Sequence, residues 1–154
     1  VERGHTNIYT FIGGIPEWRK FNYSMVINPD WQKIKVKKLP PTRFKKLLER
    51  QDLYILDVRP LNFQRDTSFI EGAHLCPLVY LTDRYPEIPK NQRIVITDWA
   101  MKQSPTAAKF LTVNGFQIVG VLKGGMERWK SENLPYQERE PTGRVGPLNR
   151  IDKQ

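Results

Sequence analysis

The sequence predicts an α/β domain built on a parallel sheet covered on both faces. Two observations carry that expectation. The runs LYILDV (53–58), AHLCPL (73–78), RIVITD (93–98) and QIVGVL (117–122) are short, apolar and of strand length. Segments with helical spacing or helix-start and helix-stop residues alternate with them. Strands that are apolar throughout, rather than at every second position, are buried on both sides, which is the condition of a parallel sheet.

Residues 6–12 are rich in β-formers and read as a strand. Pro16 opens a helix over 15–21, where its missing N–H costs nothing. Asn28-Pro29-Asp30 is a turn signal inside a linker. Phe44, Leu47 and Leu48 fall at helical spacing after Pro40-Pro41, giving a helix over about 41–50. Next come the strand at 53–58, the strand at 73–78, stopped by Pro77, and a short helix or loop over 79–84. In SPTAAKFLTVNG, after the strand at 93–98, Ser104 is the expected N-cap, Pro105 sits in the first turn and Gly115 is the stop. The strand at 117–122 leads into the last helix, GMERWKSEN, and from Pro135 the chain is polar and extended.

The chain repeats itself at an offset of 111 residues. Gly4, Gly13-Gly14, Trp18 and Asn22 fall on Gly115, Gly124-Gly125, Trp129 and Asn133. Apolar Ile8 and Phe11 fall on Val119 and Leu122. Such a period is that of a whole domain. The expected organisation is therefore the end of a preceding domain of the same kind at 1–25, a linker at 26–35, one complete domain at 36–136 and an extended tail at 137–154. The start at Val1 reads as a start inside a longer sequence. About twenty residues bury no core alone, so residues 6–22 are expected to pack on the complete domain or on another copy of the chain. Trp18 and Trp129 are expected to be core anchors.

Composition bounds the partners. With 39% hydrophobic and 11% aromatic residues a core can form, and no apolar run has the length of a membrane span. The net charge of +9 raises nucleic-acid binding. Lys and Arg look spread along the chain, with only KIKVKK (33–38) clustered, so a nucleic-acid partner is not expected. Cys76 is the single cysteine and leans toward a reducing compartment, the cytoplasm. The periplasm stays open should a signal peptide lie upstream. His5 and His74 are isolated, and no metal or cofactor is expected.

One place is built for chemistry. The strand RIVIT ends at Asp98, and six residues later Ser104 opens a helix. Such a strand–loop–helix turn presents backbone N–H groups to an anion at the carboxyl edge of the sheet.

At these residues the chain resembles the rhodanese-like family. LYILDVRPLNFQRDTSFIEGAHLCPL resembles its first half, with the Asp-Val-Arg element and a Gly-His-Ile-x-Gly-Ala type segment. VITDWAMKQSPTAAKFLTVNGF resembles its active-site strand, loop and helix, and VLKGGMERWKSENLP its closing Gly-Gly…Trp element. The opening stretch, residues 4–25, is similar to the end of a preceding rhodanese domain, and tandem chains are common in the family. The resemblance implies a three-layer domain with a central parallel sheet of about five strands flanked by helices. In active members it implies a cysteine at the end of the third main strand, which takes sulfane sulfur from a donor such as thiosulfate as a persulfide. That chemistry requires a thiolate of low pKa ringed by backbone N–H groups.

This chain departs where the chemistry sits. Against the pattern Cys-x-x-Gly-x-Arg-Ser it reads Asp98-Trp99-Ala100-Met101-Lys102-Gln103-Ser104. Asp98 stands for the cysteine, Met101 for the glycine and Gln103 for the arginine; Phe69 replaces the upstream histidine. The expectation is a domain without sulfurtransferase activity. Asp98 reads as a plug that accepts the loop's N–H groups itself, with a phosphatase-like nucleophile and an exposed recognition loop as the other readings. Trp99 reads either as a partner contact or as a lid on the pocket. Cys76 reads as a buried small hydrophobe rather than a substitute nucleophile. Asp57 and Arg59 read as a structural pair or, alternatively, as substrate contacts. Three functions are compatible with these residues: a non-catalytic regulatory, scaffolding or partner-binding half; part of a thiosulfate-type sulfurtransferase with its cysteine in an upstream domain; or a phosphatase-like anion-binding module.

Overall fold

The computed structural model describes residues 4, 7, 9–26, 28–50, 52–60 and 66–139. It divides into two compact units, one up to Asp30 and one from Trp31 onward.

Among its described residues the first unit forms the helix α1 (Gly14–Lys20). The strand expected over 6–12 does not form: residues 7 and 9–12 take no strand conformation, and residues 6 and 8 lie outside the described residues. Isolated β-formers do not make a strand without a neighbour to hydrogen-bond. Trp18, expected as a core anchor, keeps 37% of its surface exposed and packs edge-on against Phe11 and Tyr23.

Residues 29–33, expected as linker, form a short helix, α2 (Pro29–Lys33). The turn signal is its start: proline suits the first helical position, and the Asp30 N–H donates to the Asn28 side-chain oxygen at 3.0 Å.

The larger unit runs β1 (Lys38–Leu39), α3 (Pro41–Leu48), β2 (Leu53–Asp57), β3 (Ser68–Phe69) and β4 (Ala73–Leu75). It continues through a turn of 3₁₀ helix at Leu78–Tyr80, α4 (Leu81–Arg84) and a second 3₁₀ turn at Tyr85–Glu87. β5 (Arg93–Thr97), α5 (Ser104–Val113), β6 (Gln117–Leu122), α6 (Gly125–Ser131) and β7 (Gln137–Glu138) complete it. Five strands form one parallel sheet in the order β1-β6-β5-β2-β4. β3 and β7 form a separate antiparallel pair. The start of the tail expected to be extended is thus tied down by β3; residues 140–154 of that tail lie outside the described residues. β1, β3 and β7 each span two residues, too few to carry a periodic signal.

The strands point alternate residues to two cores. Tyr54 and Leu56 of β2 with Ile94 and Ile96 of β5 face one, together with Ala107, Ala108 and Leu111 of α5. Ile55 and Val95 face the other, with Phe44 of α3 and Met126 and Trp129 of α6. Trp129 is fully buried, edge-on to Phe44 at 5.9 Å between ring centroids, and its Nε1 donates to the Pro135 carbonyl at 2.8 Å.

Several residues 111 apart share backbone geometry. Gly14 and Gly125 have φ of 56° and 62°, and Asn22 and Asn133 both have φ of 53°. Tyr23 N–H donates to the Trp18 carbonyl and Leu134 N–H to that of Trp129, each at 3.2 Å. Trp18 Nε1 donates to the Ser24 carbonyl at 3.1 Å, as Trp129 does to Pro135. One difference is Gly13, helical at φ −71°, where Gly124 is left-handed at 81°.

A carboxylate in the strand–loop–helix cradle

β5 ends at Thr97, beside Asp57 of β2, and delivers Asp98 to the carboxyl edge of the sheet. The Asp98 side chain is buried there. Its Oδ1 accepts the Met101 N–H at 2.6 Å. Its Oδ2 accepts the N–H groups of Gln103 at 2.5 Å and Ser104 at 2.9 Å. The last two belong to the start of α5, whose aligned peptide dipoles favour negative charge. Met101 supplies the left-handed residue, φ 57°, that turns its N–H inward.

This changes the expected cap. Ser104 is already the first residue of α5, and Gln103 occupies the N-cap position without a side-chain cap bond. The capping oxygens come from Asp98, and the buried Ser104 Oγ has no hydrogen-bond partner. A charged acceptor six residues back displaces a neutral hydroxyl because hydrogen bonds to ionised groups are the stronger ones.

A second helix holds the loop from the other side. At the start of α6, Met126 N–H donates to the Asp98 carbonyl at 2.8 Å and Glu127 N–H to that of Trp99 at 2.9 Å. The approach is close enough to exclude a side chain at Gly125. A Cβ there would lie 2.2 Å from the Trp99 carbonyl oxygen and 2.5 Å from that of Asp98. The Gly-Gly pair is visible in the sequence as a repeat, but its role as a clamp on the loop emerges only in three dimensions.

The remaining loop residues separate by exposure. Trp99 is half-buried and packs on the core of Phe44 and Trp129; half-buried Met101 packs on the opposite core. Ala100 and Gln103 are half-buried, and Lys102 faces solvent.

Asp57 and Arg59 meet in a buried ion pair. Arg59 Nη2 donates to Asp57 Oδ2 at 2.6 Å and Nε to the same oxygen at 3.0 Å. Nη2 also reaches the Ser68 carbonyl at 2.5 Å, while Nη1 has no partner. Burial disfavours the Arg59 charge, but Asp57, and beyond it Asp66 and Asp98, outweigh that and raise its pKa above the ordinary value. Asp66, which sequence reasoning did not single out, accepts the Ser68 N–H at 2.8 Å and pairs with Lys130 of α6 at 3.0 Å. Burial pushes its pKa up; the hydrogen bonds from Ser68 and Lys130 more than reverse this and leave it low.

Cys76 is in neither group. It lies just past β4, two strands from β5 and Asp98, fully buried in the core under α4 and α5. Burial pushes its thiol pKa up to about 11, with Arg84 opposing and Glu87 adding. A thiol so placed is protonated at neutral pH and a poor nucleophile. Phe69 is buried as well. Among the described residues, no three His, Cys, Asp or Glu side chains cluster as metal ligands, and no helix is long and apolar enough to cross a membrane.

Comparison with known proteins places this geometry. Residues 40–132 match the family described as Rhodanese-like domain. The protein YibN of Escherichia coli K12 is 28% identical over 103 residues, covering 66% of this chain and 72% of that protein. A rhodanese-related protein from Thermoplasma volcanium superposes with a TM-score of 0.59 at 21% identity, over 66% of this chain and 97% of that one. A thiosulfate sulfurtransferase from Pseudomonas aeruginosa shares the fold at a TM-score of 0.59 and 19% identity, over 68% of this chain but 20% of that larger chain.

Proposed function

The chain belongs to the rhodanese-like domain family, and from that premise we propose that it is a non-catalytic member, a regulatory, scaffolding or partner-binding half of a tandem protein. The observation that carries the reading is the Asp98 carboxylate, which takes three backbone N–H groups of the loop for itself. Sulfur transfer requires a thiolate whose sulfur bonds to the donor's sulfane sulfur while the donor's remainder leaves. A carboxylate oxygen forms no such sulfur–sulfur bond, and three of the loop's N–H donors are already engaged by it.

A second reading concerns the parent protein. Residues 13–24 reproduce much of the geometry of 124–135, the element that closes the complete domain. This favours a preceding rhodanese-like domain to which residues 1–25 belong. The parent is then a sulfurtransferase if that domain keeps its cysteine. The phosphatase-like reading has less support, since an anion would compete with Asp98 for the same donors.

The test is a thiosulfate:cyanide sulfurtransferase assay on this chain, beside Cys76→Ser. The expected result is no thiocyanate above background from either protein. Turnover lost on Cys76→Ser would refute the proposal and make Cys76 the nucleophile.

A further inference from the structure

The net charge of the protein is concentrated in one stretch. From Trp31 to Leu48 the sequence holds Lys33, Lys35, Lys37, Lys38, Arg43, Lys45 and Lys46 and no Asp or Glu. These eighteen residues carry +7 of the total of +9. The uneven distribution corrects the impression that the basic residues are spread along the chain.

The fold lays this stretch along one border of the sheet. All seven cations are exposed, while Leu39 and Phe44 turn into the core and Ile34, Val36 and Leu47 are half-buried. β1 stands at the end of the sheet and pairs with β6 alone among the described strands. Its pairing fixes which groups remain open. The carbonyls of Lys37 and Leu39 accept from Val121 and Lys123, both at 2.8 Å. Successive peptide groups of a strand point to opposite sides, so the N–H and carbonyl of Lys38 point to the open border. Lysines on an edge strand discourage pairing with another basic edge; they favour an acidic one.

We propose that this border docks an acidic, extended segment of a protein partner, which adds as a strand beside β1 with its carboxylates against Lys35, Lys37 and Lys38. The backbone of Lys38 supplies hydrogen bonds and the lysines supply the charge selection. Other polyanions fit less well. The stretch has no fully exposed large apolar side chain to enter a bilayer. Of its two aromatic rings Phe44 is buried, and half-buried Trp31 already carries the Lys109 ammonium 5.8 Å from its centroid rather than a free face for a base. Six of its seven cations are lysines, which lack the bidentate fork of arginine. The inference rests on the open strand and not on the Asp98 loop, so it stands or falls independently of sulfur transfer.

The test is fluorescence anisotropy with the full chain and a labelled alternating Glu-Val octapeptide. An alternating Glu-Pro octapeptide has the same charge, but its prolines fix φ at about −65° at every second residue and hold the peptide in a polyproline form that does not lay down a strand ladder. The Glu-Val peptide is expected to bind about tenfold or more tighter than the Glu-Pro peptide, with affinity falling as salt rises. Lys35→Gln/Lys37→Gln/Lys38→Gln is expected to weaken binding of the Glu-Val peptide about tenfold or more and to flatten its salt dependence, with circular dichroism and melting midpoint unchanged; undiminished binding overturns the proposal. Equal affinity for the two peptides overturns the proposal, and that comparison needs no variant. Tighter binding of duplex DNA or of phosphatidylserine vesicles than of the Glu-Val peptide overturns it too, as does no binding at all.

Discussion

Replacing Asp98 by alanine removes the acceptor of three N–H groups at one stroke. Each such bond to a charged acceptor contributes about 1.5–3 kcal/mol, and a helix cap alone about 0.5–2 kcal/mol. The three do not add in full. Met101 and Gln103 are half-buried, so water replaces part of what they lose, whereas Ser104 is buried and its N–H is left without a partner. The expected loss is about 3–4 kcal/mol, or roughly 10–15 °C in melting temperature for a domain of this size. Asp98→Asn keeps one acceptor oxygen and should lose about half as much. The assay is urea denaturation followed by circular dichroism, repeated in sodium sulfate with sodium chloride at equal ionic strength as control. Sulfate should stabilise Asp98→Ala by more than it stabilises the wild type, because an oxyanion can enter the emptied cradle of the variant while the wild type gains only the general salting-out effect of sulfate. A loss under about 1 kcal/mol, or equal sulfate stabilisation of both proteins, would show that the carboxylate does not fill an anion site.

Four further outcomes rest on the same geometry. Gly125→Ala forces a Cβ to within 2.2 Å of the Trp99 carbonyl oxygen at a left-handed φ of 62°; the strain and the two bonds from α6 to the loop should together cost about 3–5 kcal/mol by denaturant titration. Cys76 should react with a thiol reagent only at the rate of unfolding. Its folded pKa of about 11 lies above the unfolded value, so its contribution is complete below the unfolded pKa and stability should fall as pH rises from there toward about 11, a slope that Cys76→Ala removes. Asp66 has the opposite sign: its folded pKa is lowered, so its contribution is complete above the unfolded value and lost as pH falls through the folded one. Asp66→Asn should flatten that acid limb of a pH–stability curve. Ile15 and Ile12 are exposed on the first unit while Met126, the counterpart of Ile15, is buried; concentration-dependent self-association by light scattering should weaken in Ile15→Lys.

How far the sequence reached depends on the range of the interactions involved. The strands β2, β5 and β6 and the helices α3, α5 and α6 were legible because each has enough residues for a period or a run of apolar side chains to register. The loop at 98–104 was legible too, since its place is set by a strand end and a helix start. β1, β3 and β7 were not, because two-residue strands exist only through the neighbours that hydrogen-bond to them. Asn28-Pro29-Asp30 misled because the same three residues can start a turn or a helix, and the residues after them, Trp31 to Lys33, settle it as a helix.

By itself the sequence determined the α/β class, the order of the main elements and an aspartate at the junction of strand and helix, all of which are local or periodic properties of the chain. Only the tertiary structure decided that Asp98 caps α5 in place of Ser104, that Gly125 clamps the loop from α6, and that Asp66 ties the β3 segment to Lys130. It also decided that the basic stretch borders an open strand. These depend on groups distant in sequence meeting within hydrogen-bonding distance, and that distance is set by how the sheet and its two helical layers pack.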